Sequence, residues 1–486
     1  MSVVELVYQG RLGQARETLS ELCQKAQHDP RCDMIAARIA AEALPDATSE
    51  GSRIAKAAQP VLTLVRAAAA KAAATNPSGL SELELHFVRG WSAMVEAQML
   101  ALSGSYLAAG SASKRAKSEL DQVLKQDPNH SDAKGLTGAY QYFAARLPGL
   151  VKLVKWLLRF PGGDRGHGLK WIAEASAGHG YLSTDMRLLG IVIDANFEGD
   201  WERSLPAACE LARSYPSNET MVKYAVLMAR YDPDQWPEAE RLADRSIQQV
   251  ETFAEGATRA AILRLLRSGL SLARGERESA RRDLEELLAS KAQDPSWVIP
   301  HAELVLGLLA LEEGKRQELH SRLEQAARRD RGKWFRSFLS NLAESEVPAA
   351  RIRAHREAAA LLAQMNRHGA QGVEELIGAR LDGESGAPLR HYLLGELARR
   401  RGDWEAAERD YRRCLSYRGP DLQLVRYQAK LLWASACERR GDLRMAAGIW
   451  RDLSIDPLSD PFGAMALRAR AELLQSRAGA RSAAKK

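Results

Sequence analysis

Gly402-Asp403-Trp404-Glu405-Ala406-Ala407, followed by Tyr411 and Cys414, decides the fold, because the spacing returns as Gly441-Asp442, Ala446-Ala447, Trp450 and Leu453. A helix that must turn back on itself ends readily on glycine, which enters the left-handed backbone region without a Cβ penalty. Five residues on, an alanine lets the next helix approach its neighbour closely. Nine residues on, a bulky side chain fills the groove between units, and a small or apolar residue follows one turn later. Gly395 before Gly402, and Gly307 before Gly314, supply the small residue that the first helix of such a unit needs. This spacing marks a helical repeat and not a catalytic framework.

The same template fits elsewhere. Gly275 is followed by Ala280, Leu284 and Leu287, and Gly314 by Leu319, Leu323 and Ala326. Gly199-Asp200-Trp201 leads to Ala208 and Leu211, with Pro216 closing the second helix. Gly104 precedes Ala109 and Ala116, although Ser113 stands where bulk is wanted, and Gly10 precedes Ala15 and Leu19. Asp127-Pro128 and Asp29-Pro30 end those two units. Seven matches specify an all-α fold, a tetratricopeptide-like helix-turn-helix solenoid in which antiparallel helix pairs stack into a right-handed superhelix. The intervals 275 to 314 and 402 to 441 are longer than the roughly 34 residues of the standard unit, which implies longer helices or loops.

Composition agrees. At 486 residues the chain exceeds one ordinary core, and it is 45% hydrophobic with only 6% aromatic residues. Ala, Leu, Arg and Glu dominate, all good helix formers, and alternating β-branched runs are scarce. The net charge of +7, from 69 basic and 62 acidic residues, is mild for this length. Basic runs such as Arg399-Arg400-Arg401 have acidic neighbours, as solvated helix faces do, and no basic stripe interleaved with aromatics suggests nucleic acid. The expected organisation is N-terminal helical repeats over 1–131, an irregular apolar helical insert over 132–204, C-terminal repeats over 205–475 and a disordered basic tail over 476–486.

The stretch 132–204 is the most individual. It reads Asp132-Ala133, Gly135, Gly138-Ala139-Tyr140-Gln141-Tyr142, Leu147-Pro148, an apolar helix, then Pro161-Gly162-Gly163-Asp164-Arg165 and Gly168-Leu169, with Tyr215-Pro216-Ser217-Asn218 beyond. In this order of motifs the first 220 or so residues resemble a bacterial family of tetratricopeptide-repeat proteins of unassigned function. The Gly-Asp-Arg turn and the helix after it are also similar to the eukaryotic inclusion-body-clearance family of repeat proteins at the mitochondrial outer membrane. The resemblance implies an all-helical repeat protein that acts through contacts, and it transfers no catalytic residue. The helix before Gly10, about nine residues long, is short for the pattern, so either it is short by nature or a segment precedes the written chain.

Within the insert, the helix from Pro148 to Phe160 carries Lys152, Lys155 and Arg159 in one narrow stripe, with Trp156 and Phe160 on the apolar remainder. Such a helix is usually packed with its charges in the exposed strip, and contact with an anionic membrane or a partner is the alternative. The cluster from Pro161 to Gly168 lacks the Gly-Lys-Ser/Thr ending of a phosphate loop and follows a helix. It reads as a tight connection, with Asp164 capping the next helix and Arg165 pairing locally. His167 and His179 are expected in loops.

No metal motif, serine-hydrolase elbow or cofactor signature is present, so no catalytic residue, metal or cofactor is expected. Cys414 and Cys437 fall at core positions of the repeat. Cys23 and Cys32 bracket one inter-helix loop and could bond in an oxidising compartment; reduced thiols are the expectation, because no export signal is written. No run is long and apolar enough to cross a membrane. The chain as written reads as cytoplasmic, with the periplasm or cell envelope as alternative if a signal sequence precedes it.

The function expected is a non-catalytic scaffold or adaptor that binds a partner protein or peptide on a repeat surface. The alternative is a membrane-associated or periplasmic assembly factor of the bacterial cell envelope. The register sends Tyr392, Glu396, Arg399 and Arg400 towards a concave groove, and Ser435, Glu438 and Arg439 from the next repeat. Such arginines could grip acidic side chains or a terminal carboxylate. The Lys/Asn clamp of chaperone-docking repeats is not seen at these positions, so chaperone binding is not expected.

Overall fold

A computed structural model describes residues 2–26, 28–42, 44, 51–74, 79–146, 162–253, 256–290, 296–330, 342, 346–369 and 371–483. These form α-helices with short π and 3-10 turns, and no strand occurs among the described residues. No helix among them is long and apolar enough to cross a membrane. Lys152, Lys155, Trp156 and Arg159, on the apolar helix expected within the insert, lie outside the described residues. By its contacts the chain divides into two compact units, Met1–Ile191 and Val192–Lys486.

All seven template glycines (10, 104, 199, 275, 314, 402 and 441) have φ between +66° and +79°, in the left-handed region where a turn needs glycine. The aspartate after two of them has a role that spacing alone did not reveal. Asp403 accepts the Ala406 N–H at 3.0 Å and Asp442 the Met445 N–H at 3.2 Å, so each caps the second helix of its pair. One glycine ends a helix and the next residue starts its partner. Gly395 is needed for space: a Cβ there would lie 2.7 Å from the Tyr411 ring, which is fully buried against it.

The first unit holds α1 (Val3–Tyr8), α2 (Leu12–Gln24), α3 (Pro30–Ala41), α4 (Gly51–Ala73), α5 (Glu82–Leu102), α6 (Tyr106–Gln126), α7 (Ser131–Arg146), α8 (Arg165–Ala177) and all but the last two residues of α9 (Ser183–Ile193). Its main core joins Met34, Val61, Val65, Leu85, Trp91, Leu120, Leu136 and Met186, and a smaller one joins Val3, Val7, Ala15, Leu19 and Ile39. Asp29 caps α3, with Pro30 at its first position. Ser81 and Glu84 form a reciprocal capping box on α5. Cys23 and Cys32 are joined in a disulfide with Cα atoms 6.0 Å apart, contrary to the expectation of free thiols. The two cysteines lie at the end of one helix and the start of the next, and the short loop between them brings the pair within bonding reach.

The motif of the insert turns out to be a helix-packing device. Helices α7 and α8 meet backbone to backbone: a Cβ on Gly168 would stand 2.6 Å from the Tyr142 nitrogen, and one on Gly138 would stand 2.9 Å from the Gly168 carbonyl. Asp164 caps α8 by accepting the His167 N–H at 2.9 Å, as expected. His167 therefore lies in the first turn of a helix and not in a loop, with its ring 4.2 Å from that of Trp171. Buried Asp132 accepts the N–H groups of Tyr181 and Leu182, both at 2.9 Å.

The second unit holds a π turn (Asp194–Glu198), then α10 (Trp201–Ser214), α11 (Glu219–Ala229), α12 (Trp236–Val250), α13 (Gly256–Ala273), α14 (Arg277–Ala289), α15 (Val298–Glu312) and α16 (Arg316–Arg329). It continues with α17 (Ala349–His368), α18 (Val373–Arg380), α19 (Gly383–Arg400), α20 (Trp404–Ser416), α21 (Gln423–Arg440), α22 (Leu443–Ser454) and α23 (Pro461–Ala483). Residues 476–483, expected in a disordered tail, continue α23; Ala478 is buried and Arg477 reaches Asp200 at 3.4 Å.

Candidate functional site

The inner wall of the second unit was the expected binding surface, and the first-helix faces of α13, α15, α19 and α21 do converge there. They converge on one another. Every residue of α15 is buried, including Glu303 and Glu312, and α17 lies across the turns of two preceding pairs. Leu362 packs at Gly275 and Ile352 at Gly314, where added Cβ atoms would come within 3.0 Å and 2.4 Å of them. Between α13, α15, α17, α19 and α21 there remains a cavity of about 20 Å³, lined by Gly275, Glu312, Leu362, Tyr392 and Gln428. That is room for about one water, not for a peptide.

The six predicted contact residues fall on or beside this wall, and their charges are neutralised internally. Glu396, 1% exposed, accepts two bonds from Arg399, at 2.8 and 2.9 Å, and one from Arg400 at 2.7 Å. Burial pushes its carboxyl up, but the hydrogen bond and charge of Arg399, with those of Arg400, outweigh that and hold it below the ordinary value. Arg400 also donates to the Met365 carbonyl at 3.0 Å and to Asn366. Tyr392 is buried and donates to Gln428 at 3.2 Å. Glu438 accepts from the Trp450 indole and from Arg470. Arg439, 37% exposed along its side chain, bonds Asp232 at 3.0 Å and Asp234 at 2.6 Å and stacks over Trp404. The helical period placed Tyr392, Glu396, Arg399 and Arg400 on one face correctly. The open groove expected in front of that face is filled, so these residues serve as internal pairs and not as a free clamp.

Arg439 and Arg470 belong to a seam that closes the unit. Its last helices pack against its first: a Cβ on Gly199 would stand 2.4 Å from the Ala469 carbonyl. The Trp450 ring stands edge-on to Trp201 and Tyr231, 6.1 and 5.9 Å away. Arg470, almost wholly buried, bonds Glu202 and Glu438 and the Gly199 carbonyl at 3.0 Å. Arg230 meets buried Asp460 at 2.7 Å. Burial works against the Arg470 charge, yet its two glutamates carry its pKa above the ordinary arginine value.

The three free cysteines are buried, and burial pushes the Cys414 and Cys437 thiols up to about 12, so both are inert core residues. Among the described residues no three His, Cys, Asp or Glu side chains gather as a metal site would need. What the sequence reading passed over lies at the tip between α5 and α6, where Tyr106 is 72% and Leu107 69% exposed. A signal was present: three residues after the turn glycine the other six units carry Gly13, Glu202, Glu278, Gln317, Glu405 and Arg444, and only this unit carries leucine.

The fold is that of an all-helical protein of neighbouring helix pairs. No family model matches the chain, and no curated protein matches it.

Proposed function

We propose that the protein is a non-catalytic interaction scaffold of tetratricopeptide type, which binds a partner protein or peptide through the outer surface of its helix pairs. The observation that carries this reading is the exposed Tyr106–Leu107 pair at a hairpin tip, whose counterparts in the other units are buried or half-buried, polar, or glycine. Two adjacent large apolar side chains held in water by a helix start are what a partner's pocket takes as anchors. The test compares the tagged chain with a Tyr106→Ser, Leu107→Ser double variant in capture from native cells, followed by a direct affinity measurement on the partner recovered. Loss of the partner at unchanged melting temperature supports the reading, and equal capture by both chains rejects this surface.

A second reading, an assembly factor of the bacterial cell envelope, is favoured by the Cys23–Cys32 disulfide, since such bonds persist in oxidising compartments. Thiol labelling of the chain drawn directly from native cells distinguishes the two: blocked Cys23 and Cys32 support export, and labelled ones support a reducing compartment.

A further inference from the structure

One pocket in the second unit is lined, among the described residues, by more cations than carboxylates. It is an open pocket of about 400 Å³ beside the start of α21, and the charged side chains among its lining residues are Arg418, Arg426, Lys430 and Asp456, with Leu342, Gly419, Pro420 and Gln423 between them. Three of these side chains are cations and one is a carboxylate. Asp456 is already engaged, with Lys430 at 3.2 Å on one oxygen and the Leu458 N–H at 3.1 Å on the other. Among the described residues Arg426 donates to two neutral groups, the Leu415 carbonyl at 2.7 Å and the Tyr417 carbonyl, and feels Asp456 through charge alone. Arg418 is exposed and has no hydrogen-bond or ion-pair partner among the described residues. Among the described residues, two guanidinium groups beside one space therefore have no carboxylate bonded to them.

This is an unfavourable arrangement for the protein alone. Burial, and then the like charge of Arg418, hold the Arg426 guanidinium below the usual arginine range. Arg267, Arg399 and Arg470 are shifted the opposite way by carboxylates that bond them.

We propose that this cavity binds a small phosphate monoester, whose dianionic phosphate bridges Arg418 and Arg426. Guanidinium forks match phosphate oxygens, two charges answer two charges, and a space of this size holds an organic body besides the phosphate. Leu342 and Pro420 offer that body apolar contact, and Gln423 offers it a hydrogen bond. Asp456 accepts from Lys430 on one oxygen and from the Leu458 N–H on the other, and its charge disfavours any anion that reaches past the arginines.

The test is calorimetric titration of the full chain with phenyl phosphate and, separately, with inorganic phosphate and succinate. Saturable one-site binding of phenyl phosphate is expected, weakened about ten- to a hundredfold in Arg418→Ala, the loss of one charge-assisted contact. Arg418 is exposed and makes no bond among the described residues, and an unchanged melting temperature establishes that the variant is folded. Binding should also strengthen as pH rises through about 6, where the ester takes its second charge. Tighter binding of succinate would overturn the phosphate assignment. Absence of saturable binding, or equal affinity in wild type and Arg418→Ala, would overturn the site.

Discussion

Glu396→Gln keeps the side chain's shape and removes its charge, leaving Arg399 and Arg400 with no anion between them beneath the inner wall. Breaking a buried ion pair on one side costs about 3–5 kcal/mol, and urea unfolding of the variant is expected to show a loss of that order. A loss below about 0.5 kcal/mol would mean that the face is wetter than its packing indicates. At Gly395 the obstacle is steric: alanine would drive a Cβ into the Tyr411 ring, with an expected loss of about 1–3 kcal/mol. His301 sets a pH dependence. Burial lowers its imidazole from an ordinary 6.5 to about 4, so below the ordinary value the unfolded chain takes up a proton that the native one refuses. Its contribution, of the order of 3 kcal/mol, is fully present above the unfolded pKa and is lost as pH falls from 6.5 towards 4. His301→Gln should flatten that part of the acid slope, read as the change in urea midpoint between about pH 7 and about pH 5. The turn glycines were legible from the sequence because backbone sterics at a turn are local. The burial of Glu396 was not, since a 3.6-residue period tells which side chains share a face and not what covers that face.

At the scale of the element, the α7–α8 pair depends on two absent side chains. Gly168→Ala would push a Cβ against the Tyr142 backbone nitrogen, and backbone cannot swing aside as a side-chain tip can. The expected result is separation of the pair, seen as loss of the near-ultraviolet dichroism of Trp171, while Gly166→Ala, whose Cβ would meet only the Asp164 carboxylate at 3.5 Å, should leave it intact. The glycines, the Leu-Pro and the Gly-Asp-Arg of this stretch were visible as a signature, but the reason for them was not. Close backbone approach joins residues thirty positions apart, and a single sequence does not announce which glycine faces which. The Cys23–Cys32 bond acts on a smaller element, the loop between α2 and α3. Closing nine or ten residues restricts the unfolded chain by roughly 2–3 kcal/mol in the loop-entropy account, so reductant should lower the stability of the first unit by about that amount. An unchanged melting curve in reductant would show that packing alone fixes this turn.

Over the whole second unit the decisive relation is between its two ends. An open stack of repeats transmits a defect only to its neighbours, because each pair touches the pairs beside it. Here Arg470 of α23 reaches Glu202 and the Gly199 carbonyl, at the opposite end of the unit's sequence. Arg470→Glu is therefore expected to raise amide exchange over residues 199–231 as well as over α22. Exchange confined to α22 and α23 would show that the seam carries no stability. The helix pairs themselves were readable in advance, since each is a local pattern. The seam was not, because closure depends on small rotations summed over many pairs, which no single repeat encodes. A stack joined end to end also has a fixed count. Duplicating or deleting one helix pair would carry Arg470 past Glu202 and Trp450 past Trp201, so the second unit cannot lengthen or shorten by whole repeats in the way open arrays do. Diversity in this half of the protein has to come from substitutions and from loops, with the number of pairs held constant.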